Sequence, residues 1–192
     1  MKNALIIVDV QNDFCTGSLP VPHGLDIVPV INRLMGQFDV VIPTQDWHPK
    51  DHCSFAPNGP WPVHCVADSE GAALVAGLDK SRFQHVIRKG MRKEFDSYSG
   101  FYDEGGQSTG LAELLRSLGV THVTITGLAT NFCVLATALD CFEKAHFPTT
   151  VFLEGCRGID VPGCTVADSI RTMGSKGITL IDKPRKGPDI SP

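Results

Sequence analysis

The sequence has no apolar run approaching the ~18 residues that span a membrane. Its first apolar stretch, Leu5-Ile6-Ile7-Val8, is closed by Asp9 before it reaches the length of a signal h-region. Positive charge is also scarce. With 17 Lys and Arg against 21 Asp and Glu, the net charge is -4, so neither nucleic acid nor an anionic membrane is an expected partner. Cys-x-x-Cys spacing, the mark of redox and zinc motifs, is missing although seven cysteines are present. The odd count implies free thiols in a reducing compartment, most of them packed as small hydrophobes, Cys141 and Cys156 among them. Internal repeats, low-complexity tracts and interdomain linkers are absent too. These absences lead to a cytoplasmic chain with one domain over residues 1–182. A tail, 183–192, with three prolines and few apolar residues, reads as extended or disordered.

What is present is a series of short β-branched runs bounded by turn residues: Leu5–Val10, Asp39–Pro43, Gln84–Arg88, His122–Thr126, Thr150–Leu153 and Ile178–Ile181. Most are continuously apolar rather than alternating, as strands covered on both faces are. Helical spacing lies between them. Leu111, Leu114, Leu115 and Leu118 fall at i, i+3, i+4 and i+7 before Gly119. Further helices are expected over Asp26–Phe38, over Asn131–Ala145 with Val134, Ala138, Leu139 and Phe142 on one face, and over Asp168–Ser175. The alternation predicts an α/β fold, a three-layer α/β/α domain with a mostly parallel central sheet. One connection is abnormal. About forty residues separate the strands near Val41 and Val86, against the usual ~4–6. Two tryptophans and three histidines inside it argue for an ordered, functional loop.

Ligands of open parallel sheets bind beyond the carboxyl ends of the strands, so the polar residues there are the ones to collect. The first strand delivers Asp9, the second Asp46 and His48, the third Lys89, and the fourth leads through Gly127-Leu128-Ala129-Thr130-Asn131 to Cys133 at the start of a helix. A cysteine in the first turn of a helix is expected to have a lowered pKa and free N–H groups nearby for an oxyanion. Asp9 could take and return its proton, and Lys89 could keep Asp9 ionised and polarise a substrate. Taken singly, Cys133 reads as a core thiol, Asp9 as a turn acid and Lys89 as a solvated strand end. Their arrival at one sheet edge is what points to chemistry. Asp46-x-His48 with His52 and His64 in the long loop is a carboxylate–imidazole set suited to zinc, iron or manganese. Phe14, Trp61 and Tyr98 are loop aromatics that read equally as local core or as pocket walls.

These residues sit in recognisable strings: Val8-Asp9-Val10-Gln11-Asn12-Asp13-Phe14, Thr44-Gln45-Asp46-Trp47-His48-Pro49, Trp61-Pro62-Val63-His64-Cys65, Lys89-Gly90, Asp96-Ser97-Tyr98-Ser99-Gly100-Phe101 and Gly127-Leu128-Ala129-Thr130-Asn131-Phe132-Cys133-Val134. With them the chain, from about Ala4 to Asp182, resembles the nicotinamidase/pyrazinamidase branch of the isochorismatase-like cysteine hydrolases. The resemblance implies an enzyme that splits nicotinamide into nicotinate and ammonia through a cysteine thioester, and that also accepts pyrazinamide. By position it implies a catalytic set of Asp9, Lys89 and Cys133, and an oxyanion hole from the N–H groups of Ala129 and Cys133 beside a cis peptide before Ala129. It implies a pocket walled by Phe14, Trp61 and Tyr98. It also implies one divalent transition metal, zinc with iron or manganese as alternatives, on Asp46, His48 and His64, with His52 as a fourth contact in some members. The metal would hold the ring nitrogen. Asn131-Phe132 departs from the acid–aromatic pair that is commoner in the family, which puts the contacts around Cys133 in question. Expected partners are a small-molecule amide and, as an option, a second copy of the chain in a homo-oligomer. Rival readings are a hydrolase of another small amide or ureido compound on the same fold, a metal-binding interaction protein, and a thiol–disulfide protein. The metal set disfavours the first, the intact Asp9, Lys89 and Cys133 the second, and the lack of a resolving cysteine near Cys133 the third.

Overall fold

A computed structural model of the chain describes residues 1–182. The expectation for 183–192 lies outside these described residues. Six strands form the sheet: β1 (Lys2–Val8), β2 (Val40–Asp46), β3 (Ile87–Lys89), β4 (Val120–Leu128), β5 (Thr149–Arg157) and β6 (Thr179–Ile181). They lie in the order β3-β2-β1-β4-β5-β6, and every pairing is parallel. Continuous apolar strands imply cover on both faces, and both are covered. On one side Ala4, Ile6 and Val8 of β1 pack with Leu111 and Leu115 of α3 (Leu111–Ser117), and with Val134, Ala138 and Met173. On the other, Leu5 and Ile7 pack with Ile31, Leu34 and Met35 of α2 (Val28–Met35), and with Val75 and Leu78 of the long loop. A single turn, α1 (Asn12–Cys15), follows β1, and α5 (Val166–Ser175) is capped by Thr165, whose side chain accepts from the Asp168 N–H.

Several boundaries differ from the sequence pattern: β2 runs on to Asp46, β4 spans Val120–Leu128, β5 runs on to Arg157, α2 is confined to Val28–Met35 and α5 starts at Val166, and three further differences have a local reason. β1 stops at Val8, two residues before the apolar run ends, because Asp9 turns into the left-handed region at φ 48 and carries Val10 off the ladder. β3 is short because Gln84, expected to begin it, instead turns its side-chain oxygen to the Val41 N–H at 2.7 Å. The run expected as Asn131–Ala145 begins at Thr130 and is α-helical only over α4 (Leu135–Leu139), with wider π turns at Thr130–Val134 and Asp140–Lys144. The widening shifts the buried face to Val134, Ala138 and Cys141, and leaves Leu139 and Phe142 only partly buried. Cys141 and Cys156 are buried, and all seven cysteines are free. Among the described residues, no helix is long and apolar enough to cross a membrane.

The order in which strands are added to the sheet reverses between β1 and β4. The first three strands run outward from β1 on one side, and β4 begins the other side. Parallel sheets open a crevice at such a switch point, beyond the carboxyl ends of the strands. Asp9, Asp46, Lys89 and the Ala129–Cys133 turn all converge there.

Candidate active site

Each strand end delivers its side chain through a specific local bond. Asp9 is fully buried; Thr44 donates its hydroxyl to Asp9 Oδ1 at 2.6 Å. Gln11, also fully buried, grips the backbone of Asp46 from both sides: its Nε2 donates to the Asp46 carbonyl at 2.9 Å, and its Oε1 accepts the Asp46 N–H at 2.8 Å. Lys89 lies at the centre. Its Nζ reaches Asp46 Oδ1 at 2.5 Å, the Ser97 carbonyl at 2.7 Å, Asp9 Oδ2 at 2.9 Å and Cys133 Sγ at 3.5 Å. The Asp9 contact is an ion pair rather than an aligned hydrogen bond, since Oδ2 has no hydrogen-bond partner. Donor atoms of Asp9, Asp46 and Cys133 lie within 4.8 Å of one another.

Burial sets the protonation states. It pushes the Cys133 thiol well above its ordinary value; Lys89 pulls it down, and Asp9 and Asp46 add to the rise. The lowered pKa expected from the helix start is therefore not what the structure gives: withdrawal from water outweighs the helix dipole. Burial likewise raises Asp9, and Lys89 opposes this without reversing it. For Asp46 the balance goes the other way. Burial raises it, but Lys89 and His48 together hold it well below the usual carboxylate range. Lys89 itself is lowered by burial and raised further by Asp46, Asp9 and Cys133, so it stays charged. Replacing Lys89 with methionine keeps the stem and leaves two buried acids without their cation. We expect a loss of about 3–5 kcal/mol in unfolding free energy. It would be read as a lower denaturant midpoint at unchanged slope. A native midpoint would mean that the ammonium does not hold both acids.

Next to this set is a second one. Asp46, His48 and His64 each place a donor atom within 4.8 Å of the other two. His48 Nδ1 donates to the Gly90 carbonyl at 2.8 Å, and His64 Nδ1 to the Pro62 carbonyl at 2.7 Å. A carbonyl only accepts, so both rings carry a proton on Nδ1, which leaves Nε2 as the atom a metal would take, the arrangement that backbone carbonyls impose on metal-binding imidazoles. His48 Nε2 is buried, lies 3.6 Å from Asp46 Oδ2 and has no hydrogen-bond partner, a costly state that a cation shared with that carboxylate would relieve. Gly90 makes the close approach possible: at φ +63, a Cβ there would lie 2.4 Å from the His48 ring. These residues fit a divalent transition metal. His52 falls outside the trio. Its Nδ1 is 2.7 Å from Ser54 Oγ and its Nε2 3.2 Å from the Phe95 carbonyl, while its ring stacks on His48. It forms a separate cluster with His48 and Asp96.

Over both sets opens a pocket of about 640 Å³, its mouth included. Phe14, Trp61 and Tyr98 all line it, as do Ala129, Cys133, Asp46 and His64. Trp61 Nε1 donates to the Tyr98 hydroxyl at 2.9 Å, so the two rings hold each other. Asp9, His48 and Lys89 stand behind this surface. Phe132, Ile159 and Val161 also line the pocket. Phe132 packs edge-on to Trp61 at 5.2 Å. In sequence Phe132 stands out only as a departure from the family pattern, and Ile159 and Val161 carry no signal, since apolar loop residues look alike. At the helix start the Leu128–Ala129 peptide is cis. Val134 N–H takes the Ala129 carbonyl at 3.1 Å, in the place where an α-helix would use the N–H of Cys133.

Comparison with known proteins agrees with this geometry. The isochorismatase domain family matches residues 3–183. A nicotinamidase of Acinetobacter baylyi is 42% identical over 92% of this chain and 94% of its own. The structure of PnC1 from L. infantum in complex with nicotinate is 40% identical, with a TM-score of 0.89 over 94% of this chain and 92% of that one. The pyrazinamidase of Pyrococcus horikoshii in complex with zinc is 38% identical, with a TM-score of 0.82 over 94% and 99%. In sequence and fold, the chain belongs to the isochorismatase family, within its nicotinamidase branch.

Proposed function

We propose that the chain hydrolyses nicotinamide to nicotinate and ammonia, and pyrazinamide to pyrazinoate, through a thioester on Cys133, within one domain over residues 1–182. The observation that carries this is the Lys89 ammonium, which gathers Cys133, Asp9 and Asp46 under an aromatic pocket. The raised thiol pKa means that Cys133 rests protonated. Asp9, itself raised above an ordinary carboxylate, is matched to take that proton as the sulfur attacks the amide carbon. The developing oxyanion is held by the N–H groups of Ala129 and Cys133. Asp9 then passes the proton to the departing nitrogen, ammonia leaves, and a thioester remains. A water attacks the thioester, gives its proton to Asp9, and releases nicotinate; the proton returns to the sulfur. Lys89 acts on Asp9 and the sulfur rather than on substrate, because Asp46, Ser97 and Cys133 already occupy its three hydrogens and Asp9 lies beside it as an ion pair. Release of ammonia from nicotinamide by the purified protein tests the proposal, and its absence would refute it.

Asp46, His48 and His64 would hold one divalent transition metal, zinc or alternatively iron or manganese, as a Lewis acid for the ring nitrogen. Elemental analysis should find about one such ion per chain. His48→Ala and His64→Ala should lose it. His52→Ala should retain most of it, since both ring nitrogens of His52 face protein groups. Full occupancy in the His48 and His64 variants would move the site elsewhere.

Benzamide has the shape and amide of nicotinamide and no ring nitrogen. It should lose roughly 10²–10³ in kcat/KM, less than the ~10⁴ of a strictly unpaired polar site, because a water can replace the missing contact. Equal values for the two amides would show that the ring nitrogen is not recognised.

A further inference from the structure

Residues 158–165 bring Ile159 and Val161 into the pocket wall, yet only the start of this segment adjoins a strand. Its core is a tight turn. Val161 and Cys164 exchange backbone hydrogen bonds of 3.2 and 2.9 Å around Pro162 and Gly163, the latter at φ +79. One side chain binds this turn to the helix that carries Cys133. Asn131 Nδ2 donates to the carbonyls of Ile159 at 2.9 Å and Cys164 at 3.0 Å, and its Oδ1 accepts the Ile159 N–H at 3.2 Å. The amide thus pairs with Ile159 in both directions, as a neighbouring strand would, and is only 2% exposed. The Cys164 thiol adds a contact to the Asn131 carbonyl at 3.4 Å. The turn sits close: a Cβ on Gly158 would lie 2.6 Å from Asn131 Oδ1.

We propose that Asn131 is a positioning residue that holds the 158–165 turn in place as a wall of the substrate pocket, two residues from the nucleophile. An amide is required, because two carbonyls face its nitrogen and a carboxylate has no hydrogen to give them. The inference takes its substrate from the proposed function and its geometry from the turn alone.

Asn131→Ala removes the clamp, and Asn131→Asp keeps the shape while losing both donors. Each should raise KM for nicotinamide about tenfold with kcat within about threefold, since the wall moves and the Cys133–Asp9–Lys89 set does not. Amide hydrogens of Ile159 and Cys164 should exchange faster in both variants. If a buried alanine unfolds the chain, Gly158→Ala presses the same turn off Asn131 directly, since its Cβ would meet Asn131 Oδ1 at 2.6 Å, and should give the same KM shift. Native KM and native exchange in the folded variants would overturn the proposal. So would a fall in kcat at unchanged KM, which would place Asn131 with the nucleophile instead. Should the unmodified protein leave nicotinamide intact, the proposed function fails by itself, and exchange at Ile159 and Cys164 still decides the clamp.

Discussion

Cys133→Ala should lower nicotinamide turnover by at least ~10³-fold while the chain folds normally, because no other group at the site can form the acyl-enzyme. Cys133 is the cysteine that lines the pocket; Cys15, Cys65, Cys141 and Cys156 are buried in the core, and Cys53 and Cys164 are only partly exposed and lie outside the pocket lining. The loss of one sulfur atom opens a small void beside Val134 and Ala138 in the same core cluster, which should cost only about 1 kcal/mol or so. Iodoacetamide should react with Cys133 as substrate does, with Asp9 taking the thiol proton, and loss of activity should track that modification rather than those of the partly exposed Cys53 and Cys164. Steady-state ammonia release, a melting curve and a labelling map suffice to check this. Full activity in the alanine variant would remove the thioester mechanism altogether.

Asp9→Asn should cost between ~10² and 10⁴ in kcat. The amide can still accept the Thr44 hydroxyl through its oxygen, so the end of β1 and its left-handed turn are kept. What disappears is the one carboxylate beside the thiol whose pKa is raised on balance; burial raises Asp46 too, but Lys89 and His48 hold it low and make it a poor base. The thiol, already raised by burial, then has nowhere to send its proton. Because attack on the amide and departure of ammonia both use this proton, kcat and kcat/KM should fall together. A variant with near-native kcat would mean that another group, or solvent, accepts the proton.

A part of this was legible in the chain itself. Leu5-Ile6-Ile7-Val8 is apolar without alternation because both of its faces are covered, and that burial can be read without coordinates. The same logic placed Asp9, Asp46 and Lys89 at carboxyl ends and Cys133 at a helix start, since polar residues closing apolar strands can only face the crevice. The long loop announced itself by its length and its histidines. The tertiary structure decided the rest. That Lys89 bridges Asp9 and Asp46 depends on β3 pairing with β2 in the register Asp46↔Lys89, and register is a property of two segments rather than one. The direction of the Cys133 shift is not legible in sequence, because the helix dipole is local, while the burial that overrides it is supplied by residues distant in the chain. The partners of His52 depend on where Phe95 comes to lie. Likewise Ile159 and Val161 become pocket walls only once Asn131 draws their turn across 28 to 33 residues of chain. Apolar pattern and polar punctuation are local and can be read along a sequence; desolvation, register and the closing of distant loops exist only once the chain has folded.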